Sequence, residues 1–244
     1  MRKNNVLRYI FSLFSILVLW YLLSKALNTP VLPLPYTAIK EFFIVFNKLY
    51  IHIIYSFSRI LAASAISLIL AIPIGLVIGR YKFLDYLFSP IVYMLYPIPK
   101  IALLPVIMLL LGIGNISKVV MIFIIVFFQI VVTCRDEAAR IRKEQYYFME
   151  SIGSSQLQMF KHIVFPHSLP AIFTSIRLSL GTSISVLFFS ESFGTDWGIG
   201  YYIIDSWMRI NYPEMFAGII GLSLMGIILF ISVDMFEKMI CPWK

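Results

Sequence analysis

The feature that most limits what this chain can fold into is the length of its apolar runs. Stretches dominated by Ile, Leu, Val, Phe and Ala fall at about residues 9–27, 57–79, 87–111, 116–134, 171–192 and 215–236. A helix of roughly 20 apolar residues crosses a hydrocarbon core of about 30 Å, and only helices or closed barrels satisfy their backbone groups there. Six such runs in 244 residues predict an all-α polytopic membrane protein of about six transmembrane helices, with no room for a separate soluble domain. Composition agrees, with 60% hydrophobic residues, 13% charged residues and a mean hydropathy of +0.90. The opening "MRKNNVLRYIFSLFSILVLWYLLSKAL" has a basic start but no small-residue cleavage pattern after its apolar run, and reads as a retained first span.

The formal charge of +8 does not point to nucleic acid, because the bases are scattered between apolar runs instead of forming a stripe. Topology explains them. With the N-terminus in the cytoplasm, twelve Lys and Arg residues fall in inside segments, among them Arg2, Lys3, Arg8, Arg80, Arg135, Lys161 and Lys244. Six fall outside, namely Lys25, Lys40, Lys48, Arg59, Lys118 and Arg209, while Lys100 and Arg177 lie within apolar runs. The positive-inside rule therefore places both termini in the cytoplasm.

Motifs for chemistry are missing from the sequence. Cys134 and Cys241 each end an apolar run and read as unpaired packing residues. His52, His162 and His167 are wrongly spaced for zinc and read as ordinary surface or loop histidines. No G-x-x-x-x-G-K-[ST], H-E-x-x-H or G-x-S-x-G occurs, so the expectation is a chain that is not an enzyme and binds no cofactor or metal. An ion-driven carrier would need paired ionisable residues at mid-membrane and inverted repeats, and a membrane-embedded enzyme would need a catalytic pair. Neither pattern is clear.

Three features within the spans invite a role. Ala63, Ser67, Ala71, Gly75 and Gly79 recur every four residues, a small-residue stripe that serves either packing within the subunit or a subunit interface. Pro97, Pro99 and Pro105 break the third run in "YPIPKIALLP", giving either a static kink or a bend that lines or gates a pathway, with Lys100 beside it. Glu191, near the outer end of the fifth run, is either a rim residue satisfied by backbone donors or part of the pathway or gate. Arg177 is expected to reach back to the cytoplasmic interface. Ahead of the second run, "LNTPVLPLPYTAIKEFFIVFNKLY" reads as a Pro-rich turn and a short interfacial helix on the outer surface. The expected units are 1–56, the N-terminal span and this connector; 57–236, the transmembrane core with a cytoplasmic loop at about 135–170; and a tail at 237–244.

That loop holds "YYFMESIGSSQLQMFKHIVFPHSLPAI" at residues 146–172, polar at every turn. It predicts two helical pieces divided by Gly153, the second opened by a capping box of Ser155 and Gln158 and stopped by Pro166. Leu157, Phe160, Ile163 and Val164 give that piece an apolar face, yet at about 15 Å it is too short to span. It can dock in a groove on a partner or lie on lipid headgroups.

The order "ESIGSSQLQMFKHIVFPHSLPAIFTSIRLSLG" resembles the loop of binding-protein-dependent ABC importer permeases, whose pattern is E-A-A, three residues, G, then an I-x-L-P element. Gly153 matches the family Gly, and Phe165, Pro166, Leu169 and Pro170 match its end. The stretch from "SFSRILAASAISLIL" to "LLLGIGNISKV", with "VLPLP" and "ESFGTDWGIGYYI", resembles the nitrate/sulfonate/taurine-type branch, so the likeness covers nearly the whole chain. A literal "EAAR" at Glu137 to Arg140 is not the family element, because it lies sixteen residues before Gly153 where the family spacing is six. The family Glu position falls on Tyr147, and Glu150 stands near it on the same helix face.

The resemblance implies a type I ABC importer permease-like fold in a bacterial plasma membrane. It also implies a second copy of the permease, two ATP-hydrolysing subunits that carry the ATP and Mg²⁺, and an extracytoplasmic solute-binding protein. The ATPase-coupling residues would be Tyr147, Glu150, Ser151, Gly153, Ser154, Leu157, Phe160, Pro166 and Pro170. The solute would be a small anion such as a sulfonate, taurine or nitrate, or alternatively a heterocyclic vitamin precursor.

Overall fold

The computed structural model describes the backbone of residues 2–243 and the side chains of Arg8 and of residues 10–243. Arg2, Lys3 and Lys244 of the charge count lie outside the described side chains. The chain forms α1 (Arg2–Leu27), α2 (Pro35–Ile44), α3 (Phe46–Arg80), α4 (Lys82–Leu95), a 3₁₀ turn (Lys100–Leu103), α5 (Leu104–Leu111) and α6 (Asn115–Arg140). There follow α7 (Lys143–Ser151), α8 (Gln156–Met159), a π-turn (Phe160–Val164), α9 (Phe165–Glu191), α10 (Ile199–Met208) and α11 (Tyr212–Ile240).

Among the described residues, five helices are long and apolar enough to cross a membrane, and the pair α4 and α5, bent by 78°, makes a sixth crossing. The ends of the pair show that it crosses. Asp85 near the start of α4 is held by Arg135 near the end of α6, whereas Ile113, just after α5, lies against Gly194 beyond the end of α9. The crossings therefore alternate between one end of the bundle, which carries α7 and α8, and the opposite end, which carries α2 and α10. The start of α1 and the end of α11 fall at the α7 end.

The proline break is resolved in atomic terms. Pro99 has no N–H to give the Leu95 carbonyl, so the helix opens there. The Lys100 ammonium supplies the donor instead, reaching Leu95 O at 2.9 Å and Tyr96 O at 2.8 Å.

The α3–α6 contact carries the core. Ala63, Ser67 and Ala71 are buried, and a Cβ placed on Gly75 would stand 2.6 Å from Cys134 Cβ and 2.7 Å from Val131 O. The small-residue stripe is thus spent on close packing within the subunit.

Two expectations need correction. Residues 46–56, assigned to the outer connector, are the first turns of α3, because after the break at Val45 the helix runs on without a turn. Pro166 does not stop the helix that begins at Gln156. α8, the π-turn and α9 run together as a 36-residue helix, Gln156–Glu191. The π-turn makes this possible: the Phe165 N–H bonds Phe160 O in an i to i−5 step, so the helix widens where the Pro166 ring would crowd the preceding turn. At about 1.5 Å per residue this helix is about 54 Å long, well beyond a bilayer core of about 30 Å. It therefore carries the α7–α8 loop clear of the membrane-spanning layer.

Candidate functional site

The α7–α8 loop is a rigid turn. α7 ends in a Schellman motif, with Gly153 N–H bonded to Glu150 O at 2.9 Å and Ser154 N–H to Met149 O at 3.0 Å. Gly153 has φ +75°, which a residue with a Cβ adopts poorly. The capping box then opens α8, with Gln158 N–H donating to Ser155 Oγ at 3.3 Å and Ser155 N–H to Gln158 Oε1 at 2.7 Å. Ser151 Oγ donates to Phe148 O at 2.7 Å.

Underneath, Tyr146, Met159 and Val164 are buried in the main core. The Arg80 guanidinium sits 3.8 Å over the Tyr146 ring, tying the end of α3 to α7. Burial pushes the Tyr146 phenol above its usual range, and Arg80 opposes that shift. On top, Tyr147, Phe148, Ile152 and Leu157 are exposed, Leu157 by 78%. Tyr147 and Glu150 line one groove of about 560 Å³ with Arg80, Lys82 and Lys143, so the two do share a face. A second groove, of about 650 Å³, lies between α7 and the π-turn and is lined by Phe148, Met149, His162, Pro166, His167 and Trp243. Phe160 is half-buried against the core, and Pro170 lies inside α9.

The opposite end holds a cluster that the sequence pattern did not reveal. Glu191 is fully buried, not on a rim, and accepts hydrogen bonds from Arg59 Nη1 at 2.6 Å, Ser56 Oγ at 2.8 Å and Gly200 N–H at 2.9 Å. The expected backbone donor is therefore present, joined by a salt bridge. Arg59, counted as an outside surface base, is 3% exposed, and it also donates to Asn115 Oδ1 at 3.0 Å and to Trp197 O at 2.8 Å. Lys118, counted likewise, is buried at the start of α6 with Ile113 O and Gly114 O as acceptors. His52 is no surface histidine: it is buried, pairs with the Gly198 backbone, and packs among Trp197, Tyr201 and Tyr202. For His52 and Ser56 the reason is that α3 starts eleven residues before the apolar run at 57–79, which carries both inside; Arg59 and Lys118 each stand two residues into a run and are buried with it.

Nearby, the Tyr202 phenol is raised by burial and by its bond to Glu214 at 2.9 Å. Arg209 is raised by the Glu214 carboxylate first and by Asp205 as well. At the α7 end, Arg177 pairs with Asp234 and with Glu237 at 2.7 Å, joining α9 to α11. Pro97, Pro99, Lys100 and Pro105 stay together at the α4–α5 bend, far along the bundle from Glu191. Among the described residues no cluster of His, Cys, Asp or Glu could hold a metal ion.

Residues 71–243 match the family described as "Binding-protein-dependent transport system inner membrane component". The chain belongs to this family. Among its relatives are the taurine transport system permease protein TauC of Escherichia coli, 24% identical over 79% of this chain and 70% of that protein, and the nitrate import permease protein NrtB of Synechocystis, 25% identical over 99% and 94%. The formylaminopyrimidine transport permease protein ThiX of Halalkalibacterium halodurans is 25% identical over 94% and 92%. The fold is that of the MetNI methionine ABC transporter in inward-facing form, with a TM-score of 0.68 at 16% identity over 78% of this chain and 94% of that one. The chain is thus a membrane-spanning ABC importer permease.

Proposed function

We propose that this chain is the translocation subunit of an ATP-driven importer for a small anion, with the α7–α8 loop as its coupling element. Two copies form the pathway. Two ATPase subunits dock on the α7 end and carry ATP and Mg²⁺, while an extracytoplasmic binding protein delivers solute to the α10 end. Both termini are then cytoplasmic, in agreement with the excess of Lys and Arg at that end.

One observation carries the reading: an apolar tip of Tyr147, Phe148, Ile152 and Leu157 stands exposed on a turn whose base is locked by buried Tyr146, Met159 and Val164. Exposed apolar side chains on a rigid, anchored turn suit a groove in another protein. Because the turn continues into a helix running to Glu191, a displacement of the tip is transmitted along one element. Glu150, beside Tyr147, supplies the carboxylate expected at the Tyr147 position. The anion assignment is supported by the taurine and nitrate relatives; the formylaminopyrimidine relative supports a heterocyclic vitamin precursor as the second reading.

Gentle purification of the tagged chain from its native membranes tests the assembly. A Walker-motif ATPase should accompany it near one to one and be lost in Leu157→Glu, with the chain still inserted. A functional chain that emerges alone, or a Leu157→Glu variant that retains the ATPase, contradicts the docking role.

A further inference from the structure

The membrane-spanning part of the bundle has a polar face between α6 and α9 that lipid would not satisfy. Gln129 lies near the middle of α6, fourteen residues from Asn115 and eleven from Arg140, which is about 21 Å and about 17 Å along the axis. Its Oε1 accepts from Thr182 Oγ1 at 3.1 Å, and its amide N–H groups have no partner among the described residues. Thr182 and, one turn on, Ser185 are exposed on α9, with Gly181 beside them.

Lys100 reaches the same level from the α4–α5 bend. Its ammonium stands 4.9 Å from the centroid of the Phe128 ring, and Phe128 is the neighbour of Gln129. Two of the three ammonium N–H groups go to Leu95 O and Tyr96 O, and Lys100 makes no ion pair among the described residues. Among the described residues, one ammonium N–H with only aromatic rings beside it and two amide N–H groups are left without an oxygen acceptor at half depth. The carboxylates of the spans sit at the two ends of the bundle instead, Glu191 paired at one and Asp85, Asp136 and Asp234 at the other.

We propose that Lys100, Gln129, Thr182 and Ser185 form a transit site for a small oxyanion, such as a sulfonate or nitrate, half-way along the pathway; this rests on the importer reading above. The chemistry is specific. An oxyanion accepts from ammonium, amide and hydroxyl donors at once, and a site with spare donors and net positive charge attracts it. Hydroxyls already bonded to their own helix make the site shallow: Ser185 Oγ donates to Gly181 O at 3.2 Å, and the single Thr182 hydroxyl proton is shared between Gln129 Oε1 and Ser179 O, the latter at 2.9 Å, so each hydroxyl gives up its bond to the helix when it turns to the anion. A transit site must be shallow, since the solute has to leave it.

The test is solute-independent. Thr182→Cys and Ser185→Cys, in the full assembled complex in membrane vesicles, are exposed to two thiol reagents of opposite charge, 2-sulfonatoethyl and 2-trimethylammonioethyl methanethiosulfonate. Both reagents react only where water reaches the thiol. The native Cys134 and Cys241 are buried and provide the unlabelled background. The anionic reagent should react faster at both positions, and Lys100→Gln should reduce that preference about tenfold if the ammonium faces these positions across the site. Lys100→Arg should keep it. Gln retains a donor for the Leu95 carbonyl, so a collapsed bend is not the expected cause, and a Lys100→Arg variant that loses the preference would contradict a charge effect. Failure of both reagents to label means the face is covered, and equal labelling indifferent to Lys100 means a wet path without anion selection; either result overturns the proposal. An ATPase that co-purifies with an unlabelled chain leaves the importer reading standing while this one falls.

Discussion

The two ends of the bundle solve opposite problems. At the α10 end, charges are taken out of water and answered within the chain: Glu191 has donors from Arg59, Ser56 and Gly200, and Arg59 fills its remaining valence with Asn115 and the Trp197 carbonyl. At the α7 end, apolar groups are put into water and left unanswered, with Leu157, Phe148, Tyr147 and Ile152 all exposed. A closed network holds its own elements together and gains nothing from a partner. An exposed apolar tip on a locked turn is complete only when something covers it. The first end is therefore a tie and the second a handle.

This contrast breaks most visibly at Glu191. Removing one partner of a fully buried ion pair strands the other, so Glu191→Ala should lower stability by about 3–5 kcal/mol, whereas the double change Arg59→Met with Glu191→Leu should recover much of the loss. Thermal melting of the purified chain in detergent reads both; equal destabilisation by the single and double variants would mean the pair is not the tie.

A smaller effect is expected where the helices that join the two ends touch. Gly75→Ala forces a Cβ against Cys134 and the Val131 carbonyl and should cost about 1–3 kcal/mol. Gly181→Ala is the control, since its nearest neighbour would be Phe230 Cζ at 3.9 Å, and it should melt like the parent. Smallest of all is the cap on the handle. Ser155→Ala removes the acceptor for Gln158 N–H, worth about 1 kcal/mol, and should speed amide exchange at Gln158 without moving the global melt. A global melt that falls with it would make the handle part of the tie.

The handle was far more legible in the sequence than the tie. Its Gly and its capping box are local signals, each set by residues within four positions of one another, and the structure shows both; of the expected apolar face, Leu157 is exposed while Phe160, Ile163 and Val164 pack into the core. The proline break at Pro97 to Pro105 was equally local. The tie was not legible because Arg59 and Glu191 are 132 residues apart and meet only through packing. Arg59 also stands only two residues into its apolar run, where a base reads as the outer end of a span and not as one side of a buried pair. Pro166 misled for a related reason: proline normally stops a helix, and the π-turn that absorbs it leaves no trace in apolar periodicity. Gln129 and Thr182 went unremarked because a single amide or hydroxyl inside an apolar run signals nothing until its neighbours across the bundle are known.

The measurement that tests the coupling role most directly compares ATP hydrolysis with solute uptake in vesicles holding the whole complex with Gly153→Pro in this chain. Pro fixes φ near −65° and removes the N–H that Glu150 O receives, so the turn at φ +75° cannot form while the spans are untouched. The predicted result is an inserted chain in which uptake is lost and hydrolysis no longer responds to the binding protein. Uptake and stimulated hydrolysis at parental rates would contradict the claim that this turn carries the coupling.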